Sequence, residues 1–181
     1  MPYRPTERTE AKRTATRERV VDAARALIAH GGYREAQVAA VAARAGVATG
    51  TVYRHFPSKG DLFAEAFRVA SQREVDAVAQ AGDLAEAVEI FVRRALAAPV
   101  RAYALIAEPV DPAVDAERLR FRQAYADLFV EKVGGDPVVA AAIVGALGEA
   151  ILGPLAHHDR DPDELVRTLQ QFCLNGAAAH V

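Results

Sequence analysis

Residues 37–63 read QVAAVAARAGVATGTVYRHFPSKGDLF, and this stretch decides the fold of the N-terminal part of the chain. Its spacing of apolar residues predicts one short helix over about 37–45 and a second over about 48–56. Gly46 breaks the chain between the two helices, and Pro57 cannot continue the second one. Two short helices joined by a tight turn that contains glycine form the helix-turn-helix pattern.

The outward-facing side chains of the second short helix have the chemistry that a DNA-contacting surface needs. They supply hydroxyl groups, aromatic rings and a cation, and a glycine lets the backbone approach DNA closely. These residues are Thr49, Gly50, Thr51, Tyr53, Arg54 and His55. Val52 and Phe56 are expected to pack inward. A two-helix corner also occurs as plain packing, so the surrounding sequence has to support the DNA-binding interpretation.

The rest of the sequence is helical almost throughout. It is rich in alanine, and no segment shows sustained two-residue alternation of apolar and polar residues. The fourth helix opens on a predicted capping box formed by Ser58 and Asp61. The predicted helices span about 14–30, 37–45, 48–56, 58–80, 83–99, 100–107, 112–133, 137–155 and 162–175. We therefore predict an all-α protein with about nine helices.

Charge is divided unevenly along the chain. Residues 1–60 carry 11 Lys and Arg against 5 Asp and Glu, whereas residues 61–181 carry 11 against 19. A basic N-terminal part on an acidic body indicates that only the N-terminal part meets a polyanion. The first ten or so residues are poor in apolar side chains, so we expect a mobile basic arm there. The cations of this arm are Arg4, Arg8, Lys12 and Arg13, and whether they contact DNA stays open.

Several classes of protein are excluded by the same sequence. The single cysteine, Cys173, excludes an internal disulfide and a CxxC metal site. No segment has the apolar length of a signal peptide or a membrane span, so we expect a cytoplasmic protein without a membrane partner. No catalytic triad, phosphate-binding loop, zinc spacing or dinucleotide-binding turn is present, so we expect no enzyme, cofactor or metal site. His157, His158 and Asp159 are interpreted as a polar loop.

The region of about 14–67 closely resembles the DNA-binding head of the TetR family of bacterial regulators. The resemblance rests on a helix that ends in RAGV, then on TGTVYRHF, and then on PSKGDLF at the start of a long helix. It implies a DNA-binding domain over 1–57 with a three-helix helix-turn-helix, followed by a helical effector-binding and dimerisation domain over 58–181. It also implies that the helix from Ala48 to Phe56 is the recognition helix that enters the major groove.

The resemblance assigns roles to individual residues. Thr49, Thr51 and His55 are candidates for contacts at or near base edges, and Tyr53 and Lys59 resemble the family's phosphate-gripping residues. Gln37 stands where the family often has Ser or Thr, and glutamine caps a helix poorly although it can donate to a phosphate. The full set expected to contact DNA is Gln37, Ala48, Thr49, Gly50, Thr51, Tyr53, Arg54, His55 and Lys59.

The C-terminal body is expected to dimerise and to bind a small molecule. The helix over 137–155 is apolar around nearly its whole circumference, so it has to be buried on all sides. We expect it to pair with the helix over 162–175 in a four-helix interface across a two-fold axis, and the alternative is a central core helix within one subunit. The candidate lining of an effector pocket is Phe91, Tyr103, Phe121, Arg122 and Tyr125, with Glu108 as a further polar group.

These features predict a sequence-specific DNA-binding regulator. A homodimer would place two recognition helices one duplex turn apart, roughly 34–36 Å, and would read a palindromic operator in double-stranded DNA. The function expected is that of a repressor released from its operator by an unidentified small-molecule ligand. The alternatives are a small-molecule carrier with a non-functional DNA-binding head, and a transcriptional activator.

Overall fold

The computed structural model describes residues 7–152 and 160–178. All regular secondary structure in these two ranges is helical, which confirms the predicted all-α class. The helices are α1 (Glu7–Glu35), α2 (Val38–Ala45), α3 (Thr49–His55), α4 (Lys59–Ala79), α5 (Leu84–Ala97), α6 (Pro99–Ile106), α7 (Pro112–Lys132), α8 (Pro137–Leu152) and α9 (Pro162–Ala178). None of these described helices is long and apolar enough to cross a membrane.

The first helix begins earlier than predicted and is broken where the sequence predicts it. It begins at Glu7 and not near residue 14, so Arg8, Lys12 and Arg13 lie on a helix and not on a mobile arm. The physical reason is that Ala, Glu, Lys and Arg all favour helix even where no apolar face forms. The predicted stop at Gly31–Gly32 is confirmed, because the backbone leaves helical geometry at Gly32 (φ 75°, ψ −177°), and a short second helical stretch then runs to Glu35. Arg4 lies outside the described residues, as do 157–159 and the predicted end of the eighth helix.

Three N-terminal helices and the start of the fourth form the head of the molecule. Helix α1 packs against α2, α3 and α4, so that α2 and α3 are held on one side of it. Valine and alanine side chains dominate this small core because their size lets short helices approach closely. The buried side chains are Val20, Val21, Ala24, Val38, Val41, Ala42, Val52 and Phe56.

The body is a bundle in which α4 packs along α7, α5 along α9 and α7 along α8. Side-chain caps define two helix starts, and the first of them is the predicted capping box. The Ser58 hydroxyl accepts from the backbone N–H of Asp61 while the Asp61 carboxylate accepts from the N–H of Ser58, which is a complete capping box. The Asp83 carboxylate likewise accepts from the N–H of Glu86 at 2.8 Å. These caps fix where α4 and α5 begin.

A buried carboxylate ties the head to the body at the kink in α1. Glu108, 8% exposed, follows α6, and its two oxygens accept from the backbone N–H groups of Tyr33 (2.9 Å) and Arg34 (3.1 Å). A Cβ atom at Gly32 would lie 2.8 Å from both carboxylate oxygens, so this position needs glycine for space as well as for its φ of 75°. Both oxygens of Glu108, a residue predicted as a polar group of the effector pocket, thus accept hydrogen bonds from the head.

Arg118 of α7 holds the segment that carries this carboxylate. Its guanidinium donates to the main-chain oxygens of Ala104 (3.2 Å), Leu105 (3.2 Å) and Glu108 (2.6 Å). One cation therefore satisfies three carbonyl groups at the end of α6, where helical partners are missing. The result is a continuous link from α7 through the end of α6 to the kink in α1.

We expect Glu108→Gln to weaken the protein measurably. The amide keeps only one acceptor oxygen and turns its NH2 group toward the second backbone N–H, which then stays buried without a partner. The free energy of unfolding should fall by about 1–3 kcal/mol. Urea unfolding at a fixed protein concentration measures this change. The matched control is Glu35→Gln, because Glu35 lies three residues after the kink at Gly32 but is exposed. This substitution should change the free energy of unfolding by less than about 0.5 kcal/mol. Equal effects of the two substitutions would contradict the tie.

Candidate nucleic-acid interface

The turn between α2 and α3 sets the direction of the second short helix. Gly46 adopts the left-handed conformation (φ 66°, ψ 38°), which a residue with a side chain rarely adopts. Its N–H donates to the carbonyl of Ala43 at 3.2 Å, and the N–H of Val47 donates to that of Ala42 at 3.0 Å. Gly46 lies exposed at this turn between the two helices, as predicted, and Ala42 is the small residue buried beside it.

One face of α3 is docked on the head. Val52 and Phe56 are buried as predicted, and the guanidinium of Arg17 on α1 lies 4.9 Å from the centre of the Phe56 ring. The N–H of Phe56 donates to the carbonyl of Val52 at 2.9 Å and closes the C-terminal turn of the helix. Apolar contacts on one side therefore fix the rotation of α3, and this rotation decides which residues face outward.

The opposite face of α3 is polar and open to solvent. Ala48, Thr49, Gly50 and Arg54 are exposed, and Tyr53 is 47% exposed although it is a large aromatic residue. A side chain at Gly50 would meet no atom within 4 Å, so the protein leaves open space there. Thr51 and His55 are half-buried beside this group. Every residue that was predicted on this helix to contact DNA thus lies on the outer face or at its edge.

Two side chains of this face are already oriented by their neighbours. The Arg54 guanidinium donates to the Thr51 hydroxyl at 2.8 Å, one helical turn away. Burial, followed by the charges of Arg13, Arg17 and Arg54, lowers the pKa of His55 below its ordinary value. His55 is therefore neutral at pH 7, and its ring offers one donor and one acceptor nitrogen instead of a second cation.

Lys59 and Gln37 flank α3 on the two sides. Lys59 is the exposed first residue of α4, and its ammonium lies 5.5 Å from the centre of the Phe63 ring. The capping box directly before it fixes the first turn of α4, whose free N–H groups favour an anion. Gln37 is exposed at the N-cap of α2 and makes no capping bond, as expected for glutamine, and its side chain donates to the carbonyl of Arg34 at 3.3 Å.

A clamp between α1 and α4 was missed by the sequence analysis. Arg17 donates to Glu65 at 2.9 Å, and Arg68 donates to both oxygens of the same carboxylate. The hydrogen bonds from Arg68, with a smaller contribution from Arg17, lower the pKa of Glu65 to about 2, so the carboxylate stays ionised at neutral pH. The three-residue spacing of Glu65 and Arg68 is visible in the sequence, whereas the partner 48 residues away is decided only by the fold.

The predicted pocket residues fall on two different cavities. Phe91, Phe121 and Tyr125 form edge-to-face ring contacts with centroid separations of 5.3 Å and 4.8 Å, and with Arg122 they line a cavity of about 170 Å³. Tyr103, 44% exposed, lines a separate cavity of about 1100 Å³ between the kink in α1, the start of α4 and α6. Tyr103 was predicted to share one pocket with these four residues, but helical periodicity does not show which neighbouring helices the Tyr103 face of α6 contacts.

An apolar surface on α8 and α9 is left uncovered in the single chain. Val138 is 75% exposed, and Ala141 and Ala142 of the same helix face are exposed with it. Phe172 and Leu174 of α9 are exposed as well. The prediction that α8 is buried on all sides is therefore not met within one chain.

Comparisons with known proteins agree with this geometry. The sequence profile of bacterial regulatory proteins of the tetR family matches residues 20–66, which are the residues of the docked α2–α3 corner and its supports. The transcriptional repressor KstR of Rhodococcus jostii is 54% identical over 50 residues, which are 28% of this chain and 24% of the repressor. The chain thus spans about a quarter of the length of this curated relative.

Solved structures extend the similarity to the body. A tetR-family transcriptional regulator from Streptomyces coelicolor matches with a TM-score of 0.75 at 19% identity, over 93% of this chain and 84% of that protein. The regulator FadR of Bacillus subtilis, crystallised with stearoyl-CoA, matches with a TM-score of 0.67 at 19% identity, over 88% of this chain and 98% of FadR. Residues 20–66 match the family profile by sequence, and the whole helical fold is similar in shape to that of these regulators.

Proposed function

We propose that this protein is a transcriptional repressor that binds a palindromic operator as a homodimer and leaves it when a small molecule binds the body. The observation that carries the proposal is the two-sided character of α3. Its inner face is anchored by Val52 and Phe56, while its outer face presents polar groups to solvent. A surface helix held so rigidly and yet so polar suits insertion into the major groove.

The residues proposed to contact DNA divide by chemistry. Thr49, Thr51 and His55 supply hydroxyl and imidazole groups for base edges, with Ala48 and Gly50 permitting close approach. Tyr53, Lys59 and Gln37 surround them and would position the head through phosphate contacts. Arg54 is held by Thr51, so its guanidinium reaches DNA only alongside that hydroxyl.

Two copies of the chain would associate through α8 and α9. The exposed side chains of these helices form the uncovered apolar surface, and the small residues of α8 allow two helices to approach closely. A monomeric soluble protein rarely leaves such a patch open. We therefore propose a dimer interface over 137–155 and 162–175. We also propose that 1–57 is the DNA-binding domain and that 58–181 is the effector-binding and dimerisation domain.

The effector would bind beside the aromatic cluster of Phe91, Phe121 and Tyr125, and Arg122 would line the same cavity. FadR of B. subtilis holds stearoyl-CoA, so this fold can accommodate a small-molecule ligand. In this chain the cluster contacts α4 directly, since the ring of Phe121 packs on that of Phe67 with a centroid separation of 5.9 Å. The chemical identity of the ligand is left open by these residues, and Tyr103 would contribute only from the neighbouring cavity.

A path of ring contacts supports α4 as the moving element. The Phe67 ring stacks on Tyr33 at 6.4 Å, Tyr33 packs edge-to-face on Phe63 at 6.1 Å, and Phe63 lies under the Lys59 ammonium. A ligand that displaces Phe121 would shift α4 and thereby the separation of the two recognition helices, provided that it binds the two arrangements with different affinity. Structures with and without ligand that show the same head separation would rule this mechanism out.

The proposal implies a cytoplasmic protein with no catalytic role. Cys173, the one thiol of the chain, is buried, and burial raises its pKa to about 11, so it is a poor nucleophile at neutral pH. The activator alternative shares the same DNA contacts and is separated from repression by a transcription assay on the selected operator. The carrier alternative predicts no sequence-specific DNA binding, so a DNA-binding measurement distinguishes it from the repressor.

The decisive experiment is selection of duplex DNA from a random library by the purified full chain at one fixed salt concentration. We expect a palindrome to be enriched, and the double variant Tyr53→Ala, Lys59→Ala to lose at least about a hundredfold in affinity for it, since two hydrogen bonds to charged phosphates are removed from each protomer. The control is Tyr103→Ala, Arg73→Ala, which removes a similarly exposed tyrosine and an exposed cation away from α3. No enrichment by folded, dimeric protein would favour the carrier.

The dimer interface has its own test. Val138→Glu places a charge on the uncovered face of α8, where the two-fold axis would bring two carboxylates into an apolar contact. We expect the dimer dissociation constant to rise at least about tenfold, as measured by analytical ultracentrifugation. Leu119→Glu is the matched control, because Leu119 on α7 is 71% exposed and lies outside the proposed interface. Dimerisation that is equally strong in both variants would place the interface elsewhere.

A further inference from the structure

The effector cavity beside the aromatic cluster is bounded by glycines on its α8 side. Its volume is about 170 Å³, and Ile106 of α6 and Val144, Gly145 and Gly148 of α8 line it together with the three rings. A Cβ atom at Gly145 would meet no atom within 4 Å, and one at Gly148 would lie 3.5 Å from Ile106 Cγ2, which is an ordinary contact. Packing within the chain therefore has room for a side chain at either position, and the two glycines keep that room open.

The backbone of α8 does not require these two glycines either. Both lie inside the helix and neither has a positive φ, so alanine can adopt the same conformation. Glycine weakens a helix interior relative to alanine, because it loses more conformational freedom on folding. The helix thus gives up stability at two positions that line the cavity. Gly148 is the sharper case, since its Cβ would approach Ile106 of the same chain.

The charges around the cavity favour neither an anion nor a cation. Its two charged lining residues, Arg122 and Glu149, are exposed and opposite in sign. A charged ligand that is attracted by one of them is repelled by the other, and it would also lose hydration against the rings. Apart from the hydroxyl of Tyr125, the other lining side chains are apolar or glycine. An uncharged, apolar molecule meets neither penalty.

We infer that the effector is an uncharged, mainly apolar molecule of about one six-membered ring, with its size limited by Gly148. This inference rests on the proposed function, because it takes this cavity as the effector site. An apolar cavity of about 150 Å³ in another protein holds benzene, so a cavity of about 170 Å³ suits one ring with a small substituent. The edge-to-face rings that line it add favourable contacts to a ligand ring. The stearoyl-CoA that B. subtilis FadR accommodates is too large for it.

Calorimetric titration of the full chain without DNA tests the ligand class. The probes are benzyl alcohol, benzoate and benzylammonium at pH 7 and constant ionic strength, since they share one ring and differ in charge. We expect benzyl alcohol to bind at least about fivefold more tightly than either ion, because only the ions lose the hydration of a charge. Stearoyl-CoA should not displace benzyl alcohol. The inference is overturned if benzyl alcohol does not bind, if either ion binds as tightly, or if stearoyl-CoA displaces it.

Substitutions at Gly148 test where the probe binds. Gly148→Leu should weaken benzyl alcohol binding at least about tenfold, because its side chain occupies the cavity. Gly176→Leu is the matched control and should keep the wild-type affinity, since Gly176 is an exposed helical glycine of α9 with no atom within 4 Å of its Cβ position. Gly148→Ala is the second variant, and it should weaken binding about threefold without lowering the melting temperature, because alanine favours helix. Wild-type affinity in a folded Gly148 variant contradicts the inference.

DNA binding by the same preparation keeps this inference apart from the proposed function. A protein that selects a palindrome but does not bind benzyl alcohol disproves only the ligand class. If benzyl alcohol binds and saturating amounts of it leave the affinity for the selected operator unchanged, the cavity is not the effector site. In that case the inferred ligand class and the proposed release mechanism both fail, while the DNA-binding function stands.

Discussion

The two hydrogen bonds that the Glu108 carboxylate accepts from the backbone of Tyr33 and Arg34 hold the head in place on the body. The chain leaves regular helix geometry at Gly32, and without an acceptor the two N–H groups beyond the kink would be buried unpaired. The carboxylate satisfies both groups at once and sits so close that no side chain fits at Gly32. Because Arg118 fixes the segment that bears Glu108, the orientation of α1 is tied to α7 and hence to the body.

Contacts among α1, α3 and α4 fix the position of α3 in the head. Helix α3 contributes few buried residues of its own, so its position depends on α2 and α1, against which it packs. The ion pair between Arg17 and Glu65 joins α1 and α4, and Arg17 also covers the ring of Phe56 at the end of α3. A displacement of α4 relative to α1 would therefore reach the outer face of α3 without any change in its own helix. Ligand-controlled DNA binding needs such mechanical continuity.

The junction between head and body is also where open space is concentrated. The cavity of about 1100 Å³ and a smaller one of about 200 Å³ between α1, α4 and α6 both include Tyr33, whose ring lies between those of Phe63 and Phe67. Tyr33 thus donates to Glu108 through its main chain and contacts Phe63 and Phe67 through its ring. Tyr33 therefore contacts the body on one side and α4 on the other.

The sequence by itself determined the all-helical class, most helix limits within a few residues, the capping box at Ser58 and the inward and outward faces of α3. These properties depend on local spacing, on cap chemistry and on a motif whose residues lie within 30 positions of one another. It did not determine the helical start at Glu7, because helix-forming residues without an apolar face carry no periodic signal. Only the tertiary structure decided that Tyr103 lies apart from Phe91 and Phe121, that Glu65 meets Arg17, and that Glu108 accepts from the backbone N–H groups of Tyr33 and Arg34. The contacts of Glu65 and Glu108 join residues that are 48 to 75 positions apart, and such pairings are fixed by how the helices pack and not by their own periodicity.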